Sequence, residues 1–396
     1  MQKLGGAQIH MQLNFSEERL NSMLAAPSLK PFSEDAISFL NELSLHLFKT
    51  SRMFSDVITF AYWCRKSAVT SYAKNYDDLD NRLGRGLAFH IAPSNVPVNF
   101  AFSMATGLLA GNKNIVRLPS KDFPQVDLIC DAIEKAFEKY PQMKDYVYPV
   151  KYDKTSNATD ILSACCNVRV IWGGDNTIQE IRKSQLPPRA FDIAFSDRYS
   201  LCIIDSDDYL NIENKKAVAT DFYNDTYFSD QNACTSPRIV FWKGNSIKEA
   251  KEAFWKELHD LVEQKYTLEP VQAVGKYDAL CMAAMAEGCK LVADSNENNL
   301  MRVKVEALNG TIMDYHYHSG FFFEYDLNDL SEINVLCKEK CQTISYIGNI
   351  EKEIREMLLK AGVNGVDRIV PTGKTMDFTL NWDGYDLIRS MSRIIG

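Results

Sequence analysis

The sequence is short of basic charge: 44 Lys and Arg stand against 52 Asp and Glu, a net charge of −8 at neutral pH. A chain that works by neutralising phosphates carries the opposite balance, so nucleic acid is excluded as its main partner. Long hydrophobic runs are missing too. The least polar stretch, residues 87–111, is broken by Pro93, Asn95, Pro97 and Asn99, and no membrane span is expected. Residues 1–15 lack a basic region followed by an apolar run and a small-residue cleavage site. No secretory leader is read there, and the cytoplasm is the expected compartment. None of the ten cysteines forms a C-x-x-C pair, which fits thiols kept reduced. A G-x-G-x-x-G run is also absent. Gly84 and Gly86 lack the third glycine and precede an apolar run, which disfavours a standard Rossmann dinucleotide site. With 46% hydrophobic and 24% charged residues the disordered and low-complexity classes drop out, and 396 residues predict two compact domains.

What is present is strand–helix alternation. Leu87-Ala-Phe-His-Ile-Ala92 reads as a buried strand ended by the turn Pro93-Ser-Asn-Val-Pro97. An apolar helix over residues 98–110, stopped by Gly111-Asn112, leads to the strand Asn114-Ile-Val-Arg-Leu118. Such a crossover makes the two strands parallel. The pattern repeats: helix 126–140, strand 146–151, helix 159–165, strand Val168-Arg-Val-Ile-Trp172, the turn Gly173-Gly174, and helix 176–184 capped by Asp175 or Asn176. Strand Leu201-Cys-Ile-Ile-Asp205 follows. The fold class is therefore α/β with mostly parallel sheets, whose ligands sit beyond the carboxyl ends of the strands. Residues 1–80 read as a helical N-terminal region without chemistry.

In the second half, residues 208–224 read as one helix, and Ser246 with Glu249 predicts a capping box opening helix 246–264. Strands are expected at 301–308, 311–325, 343–348, 367–370 and 377–382. His316 and His318 would share a strand face, with no third ligand to make a metal site. Asp205-Ser-Asp-Asp208 reads as the acidic start of a helix.

Two residues suggest chemistry. Cys234 sits in Thr226-Tyr-Phe-Ser-Asp-Gln-Asn-Ala-Cys-Thr-Ser-Pro-Arg238, where Gln231, Asn232, Thr235 and Ser236 give it small polar flanks unlike those of the other cysteines. A thiolate on such a loop is a nucleophile close to backbone donors. Asn95, held between two prolines, can offer its amide to an oxyanion. Gly173-Gly174 before a helix suits a phosphate, or is a plain turn.

The order of Pro93-Ser-Asn-Val-Pro97, Ala110-Gly-Asn-Lys-Asn-Ile-Val-Arg-Leu-Pro-Ser120, Trp172-Gly-Gly174 and Gln231-Asn-Ala-Cys234 resembles the aldehyde dehydrogenase superfamily. Phe228-Ser-Asp-Gln-Asn-Ala-Cys-Thr-Ser-Pro-Arg238, the tail Val366-Asp-Arg-Ile-Val-Pro-Thr-Gly373 and Trp382-Asp-Gly-Tyr-Asp-Leu387 are similar to its LuxC-type acyl-CoA reductase branch. The resemblance runs from about Gly84 to residue 396. It implies an aldehyde-dehydrogenase-like fold: two α/β domains with mostly parallel sheets and a small C-terminal oligomerisation extension. On this reading residues 81–205, with 365–396, bind the cofactor, and residues 206–364 carry catalysis. It further implies Cys234 as acyl-accepting nucleophile, Asn95 as oxyanion donor, Trp172, Gly173 and Gly174 along the cofactor, and Arg117, Ser120 and Lys121 near its adenosine ribose.

The cofactor so implied is NADPH, with no metal, and the reaction is reduction of an acyl-CoA or acyl-protein thioester to an aldehyde. A homo-oligomer and an acyl-protein synthetase partner go with it. Aldehyde-oxidising members carry a glutamate in a Glu-Leu-Gly-Gly-Lys run where this chain has Phe195-Ser-Asp-Arg-Tyr199. Loss of that water-activating group favours a reductase. The alternatives are an NAD(P)-dependent aldehyde dehydrogenase and a non-reducing acyl-relay subunit.

Overall fold

Strands that are apolar on both faces need cover on both sides. Leu87–Ile91 and Val168–Trp172 are buried at every position, as strands of a sheet sandwiched between helices are. The computed structural model describes residues 16–93, 96–153, 155–292 and 298–396. It divides into two units, one running up to Ser196 and resumed by Tyr385–Gly396, the other formed by Asp197–Gly384.

The first unit holds a parallel five-stranded sheet in the order Val147–Val150, Lys113–Arg117, Leu87–Ile91, Val168–Trp172, Phe191–Phe195. Its crossover helix Asn99–Leu109 is buried along nearly its whole length. The helix ends at Gly111, whose φ of +89° and position 2.2 Å from the Leu29 carbonyl (measured from an added Cβ) leave room for no side chain. Helices Glu17–Ala25, Glu34–Thr50, Ser55–Trp63 and Lys66–Ala73 make up the N-terminal region. The returning segment adds strand Ser392–Ile394, antiparallel to Arg82–Gly84. There Arg82 donates to Ser392 Oγ at 3.1 Å, Arg85 to the Ser390 carbonyl at 2.7 Å, and Asn112 to the Met391 carbonyl at 2.9 Å.

The second unit holds seven strands in the order Arg368–Pro371, Cys341–Ile347, Tyr199–Asp205, Pro237–Lys243, Phe321–Asp326, Met301–Lys304, Lys290–Leu291. All neighbours are parallel except the last pair. One apolar cluster, with Ile203, Phe241, Phe323 and Ile344, covers one face; another, with Ile204, Trp242, Phe254 and Phe322, covers the other.

Several expectations are corrected. The divide falls at Ser196 rather than Asp205, because Tyr199–Asp205 is hydrogen-bonded between Cys341–Ile347 and Pro237–Lys243. Of residues 365–396 only Tyr385–Gly396 rejoins the first unit, since Arg368–Pro371 pairs with Cys341–Ile347. The single helix over 208–224 is two, Ser206–Asn211 and Lys215–Asp225; Asp205 caps the first and Asn214 the second. Ser246 makes no capping hydrogen bond from its side chain; its own N–H goes to Asp207 Oδ1 at 3.1 Å. Gly174, not Asp175 or Asn176, precedes helix Asp175–Ile181. Residues 311–325 are not one strand: a short 3-10 turn, Ile312–Tyr315, precedes Phe321–Asp326, and Ser319 and Gly320 at φ 61° and 79° break the extended run. His316 and His318 therefore lie in that connection and share no strand face. Of residues 377–382 only Asn381–Trp382 is strand.

Candidate active site

In the first unit, parallel pairing carries Arg117 and Trp172 to the same carboxyl edge, with Leu87–Ile91 between their strands. Arg117 lies over the Tyr152 ring, 4.7 Å from its centroid, and among the described residues no carboxylate ion-pairs with it. Ser120 and Lys121 follow in exposed coil. Gly173 is closed in by Thr177, 3.0 Å from where a Cβ would sit, whereas Gly174 faces open space. Asn95 lies outside the described residues.

Trp172 is less free than its motif suggests. Its ring stacks on Phe195 at a 3.8 Å centroid distance, and its Nε1 donates to Ser103 Oγ at 3.0 Å. Ser103 Oγ in turn lies 2.7 Å from His90 Nδ1, and His90 Nε2 lies 2.9 Å from Asn114 Oδ1. Because the Asn114 amide nitrogen donates to the Asn112 and Tyr146 carbonyls, its oxygen must accept from His90. The chain of donors then runs Trp172, Ser103, His90, Asn114, and His90 is neutral with its proton on Nε2. Burial pushes this imidazole down to about 4, against the Asn114 hydrogen bond that favours its charged form.

In the second unit, the loop before strand Pro237–Lys243 holds Cys234. Two successive residues, Asp230 and Gln231, take left-handed backbone at φ 53° and 55°. Such strain persists only where the surroundings fix it. The fixing is visible. The Gln231 amide donates to the Pro237 and Phe321 carbonyls at 2.9 and 3.0 Å and accepts from the Gly320 and Phe321 N–H groups at 3.0 and 3.2 Å. Asp230 accepts from Gln272 at 2.7 Å and from the Tyr266 hydroxyl. Ser200 Oγ donates to the Cys234 carbonyl at 2.7 Å.

The groups around the thiol come from the amino ends of the parallel strands, the edge opposite to the one usual for α/β ligands. Burial pushes the Cys234 thiol up to about 11, and the Asp383 carboxylate adds to this; the Gln342 amide and the Arg198 guanidinium oppose it. Arg198 is held by Asp367, by Asp383 at 3.7 Å, and by the Glu339 and Cys341 carbonyls at 3.1 and 2.7 Å. Gln342 donates to Asp383. Arg368 donates to the Thr375, Lys374 and Asp377 carbonyls and lies 4.3 Å from the Trp382 ring centroid.

The cysteine, Gln231 and the glycines were legible in the sequence; Arg198, Gln342 and Asp383 were not singled out. Arg198 falls within Phe195-Ser-Asp-Arg-Tyr199, so a cation acts on the thiol from that segment. Asp383 belongs to the Trp382-Asp-Gly-Tyr motif, which was a signal, while nothing local marks Gln342.

The acyl-CoA reductase (LuxC) family pattern matches residues 7–394. The chain is 24% identical over 318 residues to a long-chain acyl-protein thioester reductase of Photorhabdus luminescens, covering 78% of this chain and 63% of that protein. It is 23% identical over 359 residues to the protein of the same description in Vibrio harveyi, covering 84% and 70%. It thus spans just under two thirds of the first relative. Aldehyde dehydrogenase 21 of Physcomitrella patens superposes with a TM-score of 0.65 at 11% identity, covering 96% of this chain and 89% of the other. The fold is that of the aldehyde dehydrogenases, and with the pattern matched over nearly its whole length the chain belongs to the acyl-CoA reductase (LuxC) family.

Proposed function

We propose that the chain reduces an acyl thioester, presented on CoA or on a protein, to the free aldehyde at the expense of NADPH, with Cys234 as the acyl carrier. The observation that carries this reading is the tethered Cys234 loop: a single thiol fixed by Gln231 and Ser200 on strained backbone, among groups that act on its charge. The relatives named acyl-protein thioester reductases support it. A cytoplasmic homo-oligomer working with an acyl-protein synthetase completes the reading; no helix among the described residues is long and apolar enough to cross a membrane.

The Cys234 thiolate attacks the thioester carbonyl, the resulting oxyanion is held by Asn95 and by N–H groups beside the thiol, and collapse expels the donor thiol to leave a thioacyl-enzyme. The carboxyl edge of the first unit fits a phosphorylated nucleotide: among the described residues no carboxylate ion-pairs with Arg117, Lys121 and Ser120 are exposed, and Gly174 leaves space above the strand end. Trp172, Gly173 and Gly174 would hold NADPH, which when bound would supply the hydride that reduces the acyl carbon. The hemithioacetal on Cys234 then collapses, releasing the aldehyde and the thiolate. The sum consumes one NADPH and one proton per thioester.

The test is to mix the protein with NADPH and a series of acyl-CoA chain lengths and follow loss of the reduced nicotinamide absorbance. Cys234→Ala should abolish both turnover and labelling by radiolabelled acyl thioester. Labelling that survives in this variant refutes the assignment. Labelling without NADPH consumption in the wild type points to an acyl relay. The buried Asp383 carboxylate beside the thiol favours a second reading, oxidation of an aldehyde with this side chain activating water. Incubating aldehyde with NAD or NADP and finding the free acid would establish that direction.

A further inference from the structure

Three guanidinium groups act on or feel the Cys234 sulfur, and two of them are already matched. Arg198 is neutralised by Asp367 and Asp383. Arg368 faces Asp383, Asp377 and Asp225 and spends its donors on three carbonyls. Arg238 is different. It lies four residues after Cys234 at the start of strand Pro237–Lys243 and is only 8% exposed. Its Nε finds no hydrogen-bond partner, and among the described residues its guanidinium makes no hydrogen bond or ion pair. Of the negative groups that act on its charge, the exposed Asp197 comes first and Cys234 second, and Arg238 in turn opposes protonation of His318. A buried charge left without a partner is strongly destabilising unless an anion forms beside it.

We propose that Arg238 is the counter-ion of the Cys234 thiolate, a positioning residue that acts through the sulfur. The inference rests on Cys234 being the nucleophile. In the free protein burial and Asp383 dominate the sulfur and keep it a thiol, with Gln342 and Arg198 opposing them. When the thiol loses its proton, Arg238 gains the partner it lacks. The same pairing forms again when the hemithioacetal collapses and the sulfur leaves as an anion. Arg238 thus favours the departure of product as well as the first attack.

The test needs no substrate, so its failure is distinct from failure of the reductase reading. The rate of iodoacetamide alkylation is followed at Cys234 and at the exposed Cys281 by peptide mass spectrometry across pH. In Arg238→Gln the Cys234 midpoint should rise by about one unit, an approximately tenfold slower alkylation at a fixed pH below the midpoint. Arg238→Lys should restore most of that rate, and Cys281 should not change in either variant. A Cys234 profile in Arg238→Gln that overlays the wild type overturns the proposal. If Arg238→Gln does not fold, the reciprocal pair decides: with Arg238 intact, Cys234→Asp supplies a fixed anion and should melt above Cys234→Asn at neutral pH. An Asp variant that melts at or below the Asn variant overturns it.

Discussion

Acid should loosen the first unit through one residue, His90. In the fold its two ring nitrogens are committed to Ser103 and Asn114, an arrangement complete only for the neutral ring. Its pKa is about 4 there, against an ordinary value of 6.5. The unfolded chain therefore binds the proton more readily, and stability present above pH 6.5 is lost as the pH falls toward 4. The full difference corresponds to about 3 kcal/mol, of which about 2 kcal/mol is gone by pH 5. His90→Gln is the matched control. Its amide oxygen can accept from Ser103 and its nitrogen can donate to Asn114, but it does not titrate. Hydrogen exchange of the peptide covering Leu87–Ile91, corrected for the intrinsic rate at each pH, reads the opening free energy of this unit. The wild type should lose protection between pH 7 and 5 by about 2 kcal/mol more than His90→Gln. Equal losses in the two proteins would refute the assignment of a neutral, doubly bonded imidazole.

Asp225 should act in the opposite sense in the second unit. Burial raises its pKa to about 6 despite the N–H groups of Gly373 and Thr375, so the native state holds the proton and stability falls as the pH rises from about 4 to 6. Asp225→Asn should flatten that slope in urea unfolding, and an unaltered slope would show the carboxyl ionised throughout. Gln231→Ala leaves four buried backbone groups unpaired, a loss of about 2–4 kcal/mol, and should slow Cys234 alkylation or acylation more than it alters the other unit's hydrogen exchange. Arg117→Ala should raise KM for NADPH about tenfold or more while leaving NADH nearly unchanged. Equal effects on both cofactors would place the 2′-phosphate elsewhere.

Legibility in the sequence followed burial. Val168–Trp172 was readable residue for residue because all its residues but Arg169 are hydrophobic and the Gly173-Gly174 turn ends it. Helix Pro270–Glu287 was not read, since Val271, Val274, Met282 and Met285 are exposed and its fully buried positions include Lys276, so no inward stripe marks it. Cys234 stood out by its small polar neighbours in the chain. Its neighbours in space, Arg198, Gln342 and Asp383, lie far away in sequence and meet it only because parallel pairing aligns the starts of Tyr199–Asp205, Pro237–Lys243 and Cys341–Ile347. No local pattern encodes that alignment.

The return of Tyr385–Gly396 to the first unit has a consequence for biosynthesis. Ribosomes emit roughly 5–20 residues per second, and early domains ordinarily fold while later ones are still being made. Here the partner strand of Arg82–Gly84, and the carbonyls that satisfy Arg85 and Asn112, are translated only after the whole of Asp197–Gly384. For about ten seconds or more the nascent first unit must wait with an unfinished edge, an interval in which chaperones have their opportunity.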